Sequence, residues 1–240
     1  VDVNEAPVFM PVAAASVDEN SPAGTLVGEP LLSAVFDQDC HGPPPHAFCG
    51  PFRFSIVGGD GARFFNFYDE ISGQLQVAAP GLNFEVAAEH SLVVRVTDPG
   101  GLFADTQVLV GVADVNEPPR LTHSGGVFAT LPEHASPGTV VGMPVYASDD
   151  DFGQVLTVSL VGGNTDSVFA LASYEDPVRG RYALLTVNES GALDFETTPV
   201  FHLIISVSDN GIPSLARNET YTVSLLDINE SPYLVPEISV

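Results

Sequence analysis

The chain has 240 residues, and its 31 acidic and 7 basic side chains give a formal net charge of −24. All the bases are arginine, and a chain with this balance repels nucleic acid and anionic membrane surfaces while it attracts cations. A hydrophobic content of 45% argues against disorder, and no apolar run is long enough to cross a bilayer.

Short runs of alternating apolar and polar residues, separated by turn residues, fill the first half of the chain. The predicted strands are, in chain order, 8–17, 26–36, 52–56, 65–68, 73–77, 92–96 and 108–112. The second half repeats this order, and no segment sustains helical periodicity. Seven short strands with turns between them predict an all-β fold, an antiparallel sandwich in each half.

The sequence Asp114-Val115-Asn116-Glu117-Pro118-Pro119 marks a joint between two repeated modules. Near-copies begin at Asp2 and Asp227, so the motif returns after 112 and then 113 residues, about one domain length. We therefore interpret the chain as an excerpt of a longer protein. The predicted division is a preceding linker at 1–5, a repeat at 6–113, a linker at 114–118, a second repeat at 119–226, and a linker with the start of a further repeat at 227–240.

Acidic motifs recur in the same order in both halves, at offsets of 111 to 114 residues. The pairs are Glu19 with Glu133, Asp39 with Asp151, Glu85 with Glu196, and Asp98 with Asp209. A halophile-like surface would also be acidic, but it would not place its acids in register. Carboxylate and amide oxygens suit a hard cation, so the motifs predict calcium at the joints.

The only two cysteines, Cys40 and Cys49, flank the prolines at 43–45 in a turn-rich insertion. Two cysteines close together in a loop suggest a disulfide and an oxidising compartment. Two free thiols are an alternative. A zinc site that also uses His41 and His46 is a weaker one.

The sequons at Asn188 and Asn218 are candidate N-glycosylation sites. A third, at Asn229, is weakened by the proline at 232. For each of them the alternative is an ordinary polar loop.

Two other function classes are open. Asp149 and Asp151 resemble the paired carboxylates of a glycosidase, but the same acids recur in both halves, which suits a repeated ion site better than an enzyme. A calcium-binding adhesin or carbohydrate-binding sandwich is the second alternative. Such sites expose aromatic platforms, whereas most of the 15 phenylalanines here occupy alternating core positions.

Taken together, the acidic motifs resemble those of the cadherin family over the whole chain. The motifs that carry the resemblance are Asp18-Glu19-Asn20, Asp114-Val115-Asn116-Glu117, Asp149-Asp150-Asp151, Leu193-Asp194-Phe195-Glu196 and Asp209-Asn210-Gly211. The resemblance implies tandem seven-strand Greek-key sandwiches, three Ca2+ ions per linker, and a rod of extracellular repeats on a cell surface. It implies adhesion or mechanical linkage, with other cadherin ectodomains on the same or a facing cell and adjacent repeats as partners. Nucleic acid and direct membrane contact are not expected. The chain has no tryptophan, so adhesion by exchange of a tryptophan-anchored strand is unsupported.

The family pattern also assigns ligands for the central linker. Site 1 would use Glu19, Asn83, Glu85 and Glu117. Site 2 would use Glu19, Glu85, Asp114, Glu117, Asp151 and the Val115 carbonyl. Site 3 would use Asn116, Asp149, Asp151, Asp209, the Pro118 carbonyl and a carbonyl just after Gly153.

The pattern further implies partial sites at the two ends of the chain. At the N-terminal end a site 3 would use Asn4, Asp37, Asp39 and Asp98. At the C-terminal end sites 1 and 2 would use Glu133, Asp194, Glu196, Asp227 and Glu230. The sequence departs from the pattern at Asn83, where aspartate is usual, and at Glu117, where aspartate is commoner.

Overall fold

The computed structural model describes residues 3–40, 50–123, 125–177, 180–189 and 193–231. The chain divides into two compact units, Val1–Val115 and Asn116–Val240, and each has its own hydrophobic core. The bounds of the predicted repeats and linkers stay a prediction. Among the described residues, no helix combines the length and the apolar character that crossing a membrane requires.

The described residues of the first unit form nine strands, several of them very short. They are β1 Val8–Phe9, β2 Ala15–Asp18, β3 Leu26–Val27, β4 Val35–Phe36, β5 Arg53–Gly58, β6 Phe65–Asp69, β7 Gln74–Val77, β8 Glu89–Thr97 and β9 Phe103–Ala113. One sheet has the order β2-β9-β8-β5 and another β3-β7-β6, while β1 pairs with β4. Short 3₁₀ helices lie at Leu31–Ala34, Gln38–Cys40 and Asp60–Arg63.

In the second unit, the part of the chain that the structure describes forms eight strands in two four-stranded sheets. They are β10 Arg120–His123, β11 Phe128–Pro132, β12 Val145–Ser148, β13 Thr157–Gly162, β14 Phe169–Asp176, β15 Gly180–Val187, β16 Val200–Ser208 and β17 Ala216–Leu226. The sheet orders are β11-β17-β16-β13 and β10-β12-β15-β14. A single core cluster takes residues from both sheets, as in a sandwich.

Strict alternation places one side of each long strand in the core. Leu92, Val94 and Val96 on β8 are fully buried, and so are Leu203 and Ile205 on β16. This is the pattern that the sequence predicts, and the all-β sandwich class is confirmed.

The pairing departs from a purely antiparallel sandwich at the second strand of each unit. β2 runs parallel to β9, and β11 runs parallel to β17. The segment at 8–17 forms two strands that join different sheets, and Pro11, which lacks a backbone N–H, lies between them. The segment at 26–36 is likewise interrupted, by Pro30 and a 3₁₀ helix.

The predicted disulfide falls partly outside the described residues. Cys40 is disulfide-bonded and lies at the end of a 3₁₀ helix. Cys49, and the two histidines of the zinc alternative, lie outside the described residues, so the pairing of Cys40 with Cys49 stays a prediction.

Candidate metal centres

The first unit gathers predicted ligands where its chain leaves the sandwich; we call Glu19, Asn83, Glu85 and Asp114 its exit cluster. Glu19 follows β2 directly and is only 2% exposed. Its Oε2 accepts the N–H of Phe84 at 2.9 Å, and its Oε1 accepts the N–H of Val115 at 2.9 Å. One carboxylate therefore connects the end of β2, the turn before β8 and the start of the linker.

The second unit repeats this arrangement around Glu133. Its Oε2 accepts the N–H of Phe195 at 2.8 Å, and its Oε1 accepts the N–H of Ile228 at 2.6 Å. These two hydrogen bonds hold the pKa of Glu133 below its ordinary value, because they favour the ionised form. The carboxylate is thus held ionised at the point where the chain leaves the sandwich.

Other acids of the first exit cluster lie beside Glu19. A carboxylate oxygen of Glu85 lies within 4.8 Å of one from Glu19 and of one from Asp114. Asn83 is half-buried, and its Oδ1 accepts the N–H of Val86 at 2.8 Å. The single carbonyl oxygen of Asn83 is therefore already engaged by the backbone.

The exit cluster of the second unit comprises Glu133, Asp194, Glu196, Asp227 and Glu230. Oxygens of Glu133, Asp194 and Glu196 lie within 4.8 Å of one another. Glu230 approaches the same region, with its Oε1 3.9 Å from Nδ1 of His134. His134 was not among the sequence-predicted ligands, although ligand atoms of His134, Glu133 and Glu230 lie within 4.8 Å of one another.

Crowding of like charge is visible at Glu196. Its own N–H lowers the pKa of its carboxyl, but desolvation and the negative charges of Glu230, Glu133 and Asp227 outweigh this and raise the pKa. The raised pKa indicates an excess of negative charge that a bound cation would neutralise.

A different group of ligands lies where the chain enters the second unit; its entry cluster is Asn116, Asp149, Asp151 and Asp209. The Oδ2 of Asp151 accepts the N–H of Glu117 at 2.8 Å. The Nδ2 of Asn116 donates to Oδ2 of Asp209 at 3.2 Å. These two hydrogen bonds connect Glu117 and Asn116 of the linker to two buried aspartates of the second unit, each of which is only 6% exposed.

The aspartates of this cluster are held in different electrostatic states. Burial raises the pKa of Asp149, and the negative charges of Asp151 and Asp209 add to the effect. Burial also raises the pKa of Asp209, but hydrogen bonds from the N–H of Leu215 and from Asn116 outweigh it and leave the pKa lowered. A carboxyl with a raised pKa is one that lacks enough positive partners for its charge.

One atom of the entry cluster tests directly whether a cation fits. The Oδ1 of Asp149 accepts the N–H of Asp151 at 3.2 Å, whereas its Oδ2 is buried and has no hydrogen-bond partner among the described residues. A buried, unpartnered carboxylate oxygen is costly unless a cation or proton satisfies it. The oxygen-rich donor set suits calcium, so the residues fit the ion that the motifs predict.

The first unit has the same entry cluster, formed by Asn4, Asp37, Asp39 and Asp98. Asn4 donates through Nδ2 to Oδ2 of Asp98 at 3.0 Å, and Asp39 accepts the N–H of Glu5 at 2.9 Å. The three aspartates are 2%, 7% and 5% exposed, in chain order, so the cluster is as buried as its counterpart.

Two residues that the motifs did not single out complete the second entry cluster. The Nε2 of Gln154 donates to Oδ1 of Asn116 at 2.5 Å and so orients the linker amide. Arg120 forms a bidentate pair with Asp150, at 2.9 and 2.6 Å. The middle residue of the Asp149-Asp150-Asp151 motif is therefore paired with an arginine in this chain.

The structure thus brings the predicted ligands of each unit together in two clusters. Pro118 and Val115, which the family pattern uses through their carbonyls, are exposed in the linker. The assignment of individual residues to individual ions stays a prediction.

Known proteins that are similar to this chain indicate its family. No protein-family model matches the chain. The chain is 30% identical to protein dachsous of Drosophila melanogaster over 223 residues, which are 90% of this chain and 6% of that protein. It is 30% identical to human protocadherin beta-1 over 244 residues, which cover all of this chain and 27% of that protein. Extracellular cadherin domains 3–6 of protocadherin gamma B2 superpose with a TM-score of 0.64 at 26% identity, over 93% of this chain and 48% of that one. The chain belongs to the cadherin family.

Curated relatives such as these are far longer than this chain, which spans between 4% and 27% of their length. The comparison therefore identifies the kind of domain. The function of the whole protein is proposed below.

Proposed function

We propose that this cadherin chain is a calcium-dependent module for cell adhesion or mechanical linkage. Calcium ions at the joint between its two repeats would make them behave as one rigid part of a rod-like ectodomain. The observation that carries the proposal is that both units contain the same arrangement of hydrogen-bonded carboxylates. In both units a buried glutamate accepts two backbone N–H groups where the chain leaves, and buried aspartates hold the asparagine of the linker where it enters.

The proposed ligands of the central joint come from the exit cluster of the first unit, the linker and the entry cluster of the second. Seven side-chain carboxylates would contribute: Glu19, Glu85, Asp114, Glu117, Asp149, Asp151 and Asp209. A bound calcium ion would supply positive charge and would coordinate six to eight oxygen atoms. The chain itself supplies the oxygens, holds them in place through the hydrogen bonds described above and keeps two of the aspartates shielded from solvent.

The ends of the chain would hold partial versions of the same sites. The entry cluster of the first unit offers Asn4, Asp37, Asp39 and Asp98. The exit cluster of the second offers Glu133, Asp194, Glu196, Asp227 and Glu230. Each needs ligands from a neighbouring repeat, so we expect weaker binding there than at the central joint.

Substitutions at two adjacent aspartates test the proposal. Asp149→Asn removes a charge from the carboxylate whose Oδ2 lacks a partner, so we expect it to abolish or weaken one calcium-binding step by at least about tenfold, a loss of about 1.4 kcal/mol. Asp150→Asn is the matched control, because Asp150 is paired with Arg120 and is not a proposed ligand. Isothermal titration calorimetry with calcium would measure both. Equal binding by the two variants would contradict the proposal.

A second substitution tests whether Asn83 is a ligand of site 1. Asn83 offers one carbonyl oxygen, which already accepts the N–H of Val86, whereas Asp194 at the matching position offers two charged oxygens. We therefore expect site 1 to be the weakest of the three central sites. Asn83→Asp should tighten it by about fivefold or more, since one unit charge at 4 Å is worth about 1 kcal/mol even in bulk water.

Calcium calorimetry of the wild type and Asn83→Asp would check this, with attention to the weakest binding step. The added charge also increases repulsion without the ion, so the variant should unfold slightly more easily in chelator. An unchanged weakest step would mean that Asn83 is not a ligand.

Other cadherin ectodomains, on the same or a facing cell, are the proposed partners, and the proposed location is the extracellular part of a cell-surface protein. A solved relative supports the proposed partners. It is the cis-dimer structure of protocadherin gammaB7 extracellular domains 3–6, which matches this chain at 26% identity with a TM-score of 0.59. An enzyme is not proposed, because the acids that would form its carboxylate pair recur in both units. A glycan array on which the chain binds no sugar would remove the alternative of a calcium-binding adhesin or carbohydrate-binding module.

A further inference from the structure

The first unit contains a cavity of about 350 Å³ between the segment that leads into β2 and the segment that follows β3. Small and apolar side chains form most of its lining. They include Val12, Ala15, Val27, Gly28, Leu75 and Val108. None of the described residues that line the cavity is a proposed calcium ligand, so this space is separate from the metal sites.

Strand register identifies the residue that takes the place of Val108 in the second unit. Ala15 on β2 and Ala129 on β11 each pair in parallel with the last strand of their unit. The residues opposite them come two positions after Val108 and two positions after Tyr221. Val108 and Tyr221 are therefore equivalent, and both are only 2% exposed on the core face of their strand.

The wall of the cavity opposite this strand also has a counterpart in the second unit. Residues 24–30 read Gly-Thr-Leu-Val-Gly-Glu-Pro, and residues 138–144 read Gly-Thr-Val-Val-Gly-Met-Pro. Gly28 therefore corresponds to Gly142, and their φ angles are similar, at 61° and 69°.

These two glycines show that the tyrosine fills in one unit a space that is open in the other. A Cβ atom added at Gly142 would touch Ala129 and would clash with the hydroxyl of Tyr221. A Cβ atom added at Gly28 would meet only Ala15 within 4 Å among the described residues. The place that the tyrosine hydroxyl occupies in the second unit is therefore free of described protein atoms in the first.

Tyr221 shows which chemical group suits this space. Its ring centroid lies 5.6 Å from that of His123, and its hydroxyl accepts a hydrogen bond from the backbone of Met143. The residue equivalent to Met143 is Glu29, which lines the cavity of the first unit. The cavity thus has apolar walls and, at one end, the backbone position that holds a phenol hydroxyl in the second unit.

Size and charge narrow the class of ligand. A volume of about 350 Å³ is within the range of small-molecule sites, and apolar cavities in protein cores can bind single aromatic rings. Glu29 is the one charged residue among the described lining residues, so an anionic ligand is repelled. We propose that this cavity binds a small uncharged molecule that carries a phenol ring.

Titration of the calcium-saturated chain with p-cresol, which reproduces the tyrosine side chain, tests the proposal by nuclear magnetic resonance. We expect the amide signals of Ala15 and Gly28 to shift and to saturate with a Kd on the order of 1 mM, as for a fragment of this size. The anion 4-hydroxybenzoate has the same ring and should bind at least about fivefold more weakly, because Glu29 repels its carboxylate.

A pair of tyrosine substitutions locates the binding site. Val108→Tyr supplies the ring that the second unit has, so it should abolish the p-cresol shifts without lowering the midpoint of thermal unfolding. Gln107→Tyr is the matched control, because Gln107 is exposed on the opposite face of β9. This variant gains the same side chain outside the cavity and should bind p-cresol as the wild type does.

The reciprocal substitution keeps the test open if Val108→Tyr folds poorly. Tyr221→Val should create the same cavity in the second unit and lower its midpoint of thermal unfolding by several degrees. Addition of p-cresol at about ten times its Kd should recover part of this loss, because the ligand binds only the folded state. The amide signal of Gly142 should then shift as well.

Three results would overturn the proposal. The first is a wild type whose Ala15 and Gly28 signals do not respond to p-cresol. The second is a response that persists unchanged in Val108→Tyr, since the ring would then bind elsewhere. The third is a Tyr221→Val variant that p-cresol does not stabilise, because the two spaces would then not be equivalent. Each of these results would leave the proposed calcium sites unaffected.

Discussion

Leu203→Ala should lower the free energy of unfolding of the second unit by about 3 kcal/mol, because it removes buried methyl groups and leaves a cavity in a packed core. Leu203 lies on β16 with no exposed surface and belongs to the core cluster that joins the two sheets. For a domain of this size, the loss corresponds to a fall of roughly 10 °C in the midpoint of thermal unfolding.

The adjacent residue provides the control. Ile204 lies on the same strand, points to the opposite face and is 37% exposed, so Ile204→Ala should cost less than about 1 kcal/mol. Differential scanning calorimetry of both variants in chelator would separate core packing from any effect of calcium. Equal losses in the two variants would contradict the assignment of the core face of β16.

The main strands could be predicted from the sequence because burial of one side of a strand enforces a period of two. Leu92, Val94 and Val96 follow that period without interruption, and all three are fully buried. The repeat could be predicted as well, since the acidic motifs recur at nearly constant spacing. The sandwich and its division into two similar units follow from these two patterns.

The interrupted strands could not be predicted from periodicity alone. The apolar residues at 8–17 read as one strand, yet β1 and β2 join different sheets, because the choice of sheet depends on long-range pairing with β4 and β9. Pro11 and Pro30 were local signals of the breaks. The parallel pairing of β2 with β9 has no local signature at all.

Three tyrosines on neighbouring strands, Tyr146, Tyr182 and Tyr174, illustrate the same limit at the surface. Tyr174 and Tyr182 are eight residues apart in the sequence and Tyr146 is far from both, so only the register of three strands brings them together. The sequence had pointed to phenylalanines as core residues and gave no reason to expect an exposed aromatic row.

The residues of the candidate metal sites could be predicted from the sequence, but the hydrogen bonds that hold them could not. Residue type and recurrence identified Glu19, Asp149 and their counterparts. The structure adds the backbone N–H groups that hold Glu19, the unpartnered Oδ2 of Asp149 and the engagement of Asn83 by Val86. Such contacts depend on turn geometry, which the motifs do not encode.

Chelation of calcium should lower the melting temperature of the chain more than any of the point variants. An ion that binds only the folded state contributes about 2.7 kcal/mol per site when its concentration is a hundred times the Kd. Without it, the carboxylates within each cluster repel one another, and their like charges add to burial in raising the pKa values of Glu196 and Asp149. Thermal unfolding with calcium and with excess chelator would measure the change, and Asp149→Asn should respond less than Asp150→Asn.

Small-angle X-ray scattering of the chain with calcium and after chelation tests most directly whether the ion makes the joint rigid. We predict a narrow distribution of interatomic distances with calcium, characteristic of one defined angle between the units, and a broader distribution after chelation. Each unit should keep its fold in both samples, as judged by circular dichroism. Superimposable scattering profiles in the two conditions would contradict the account.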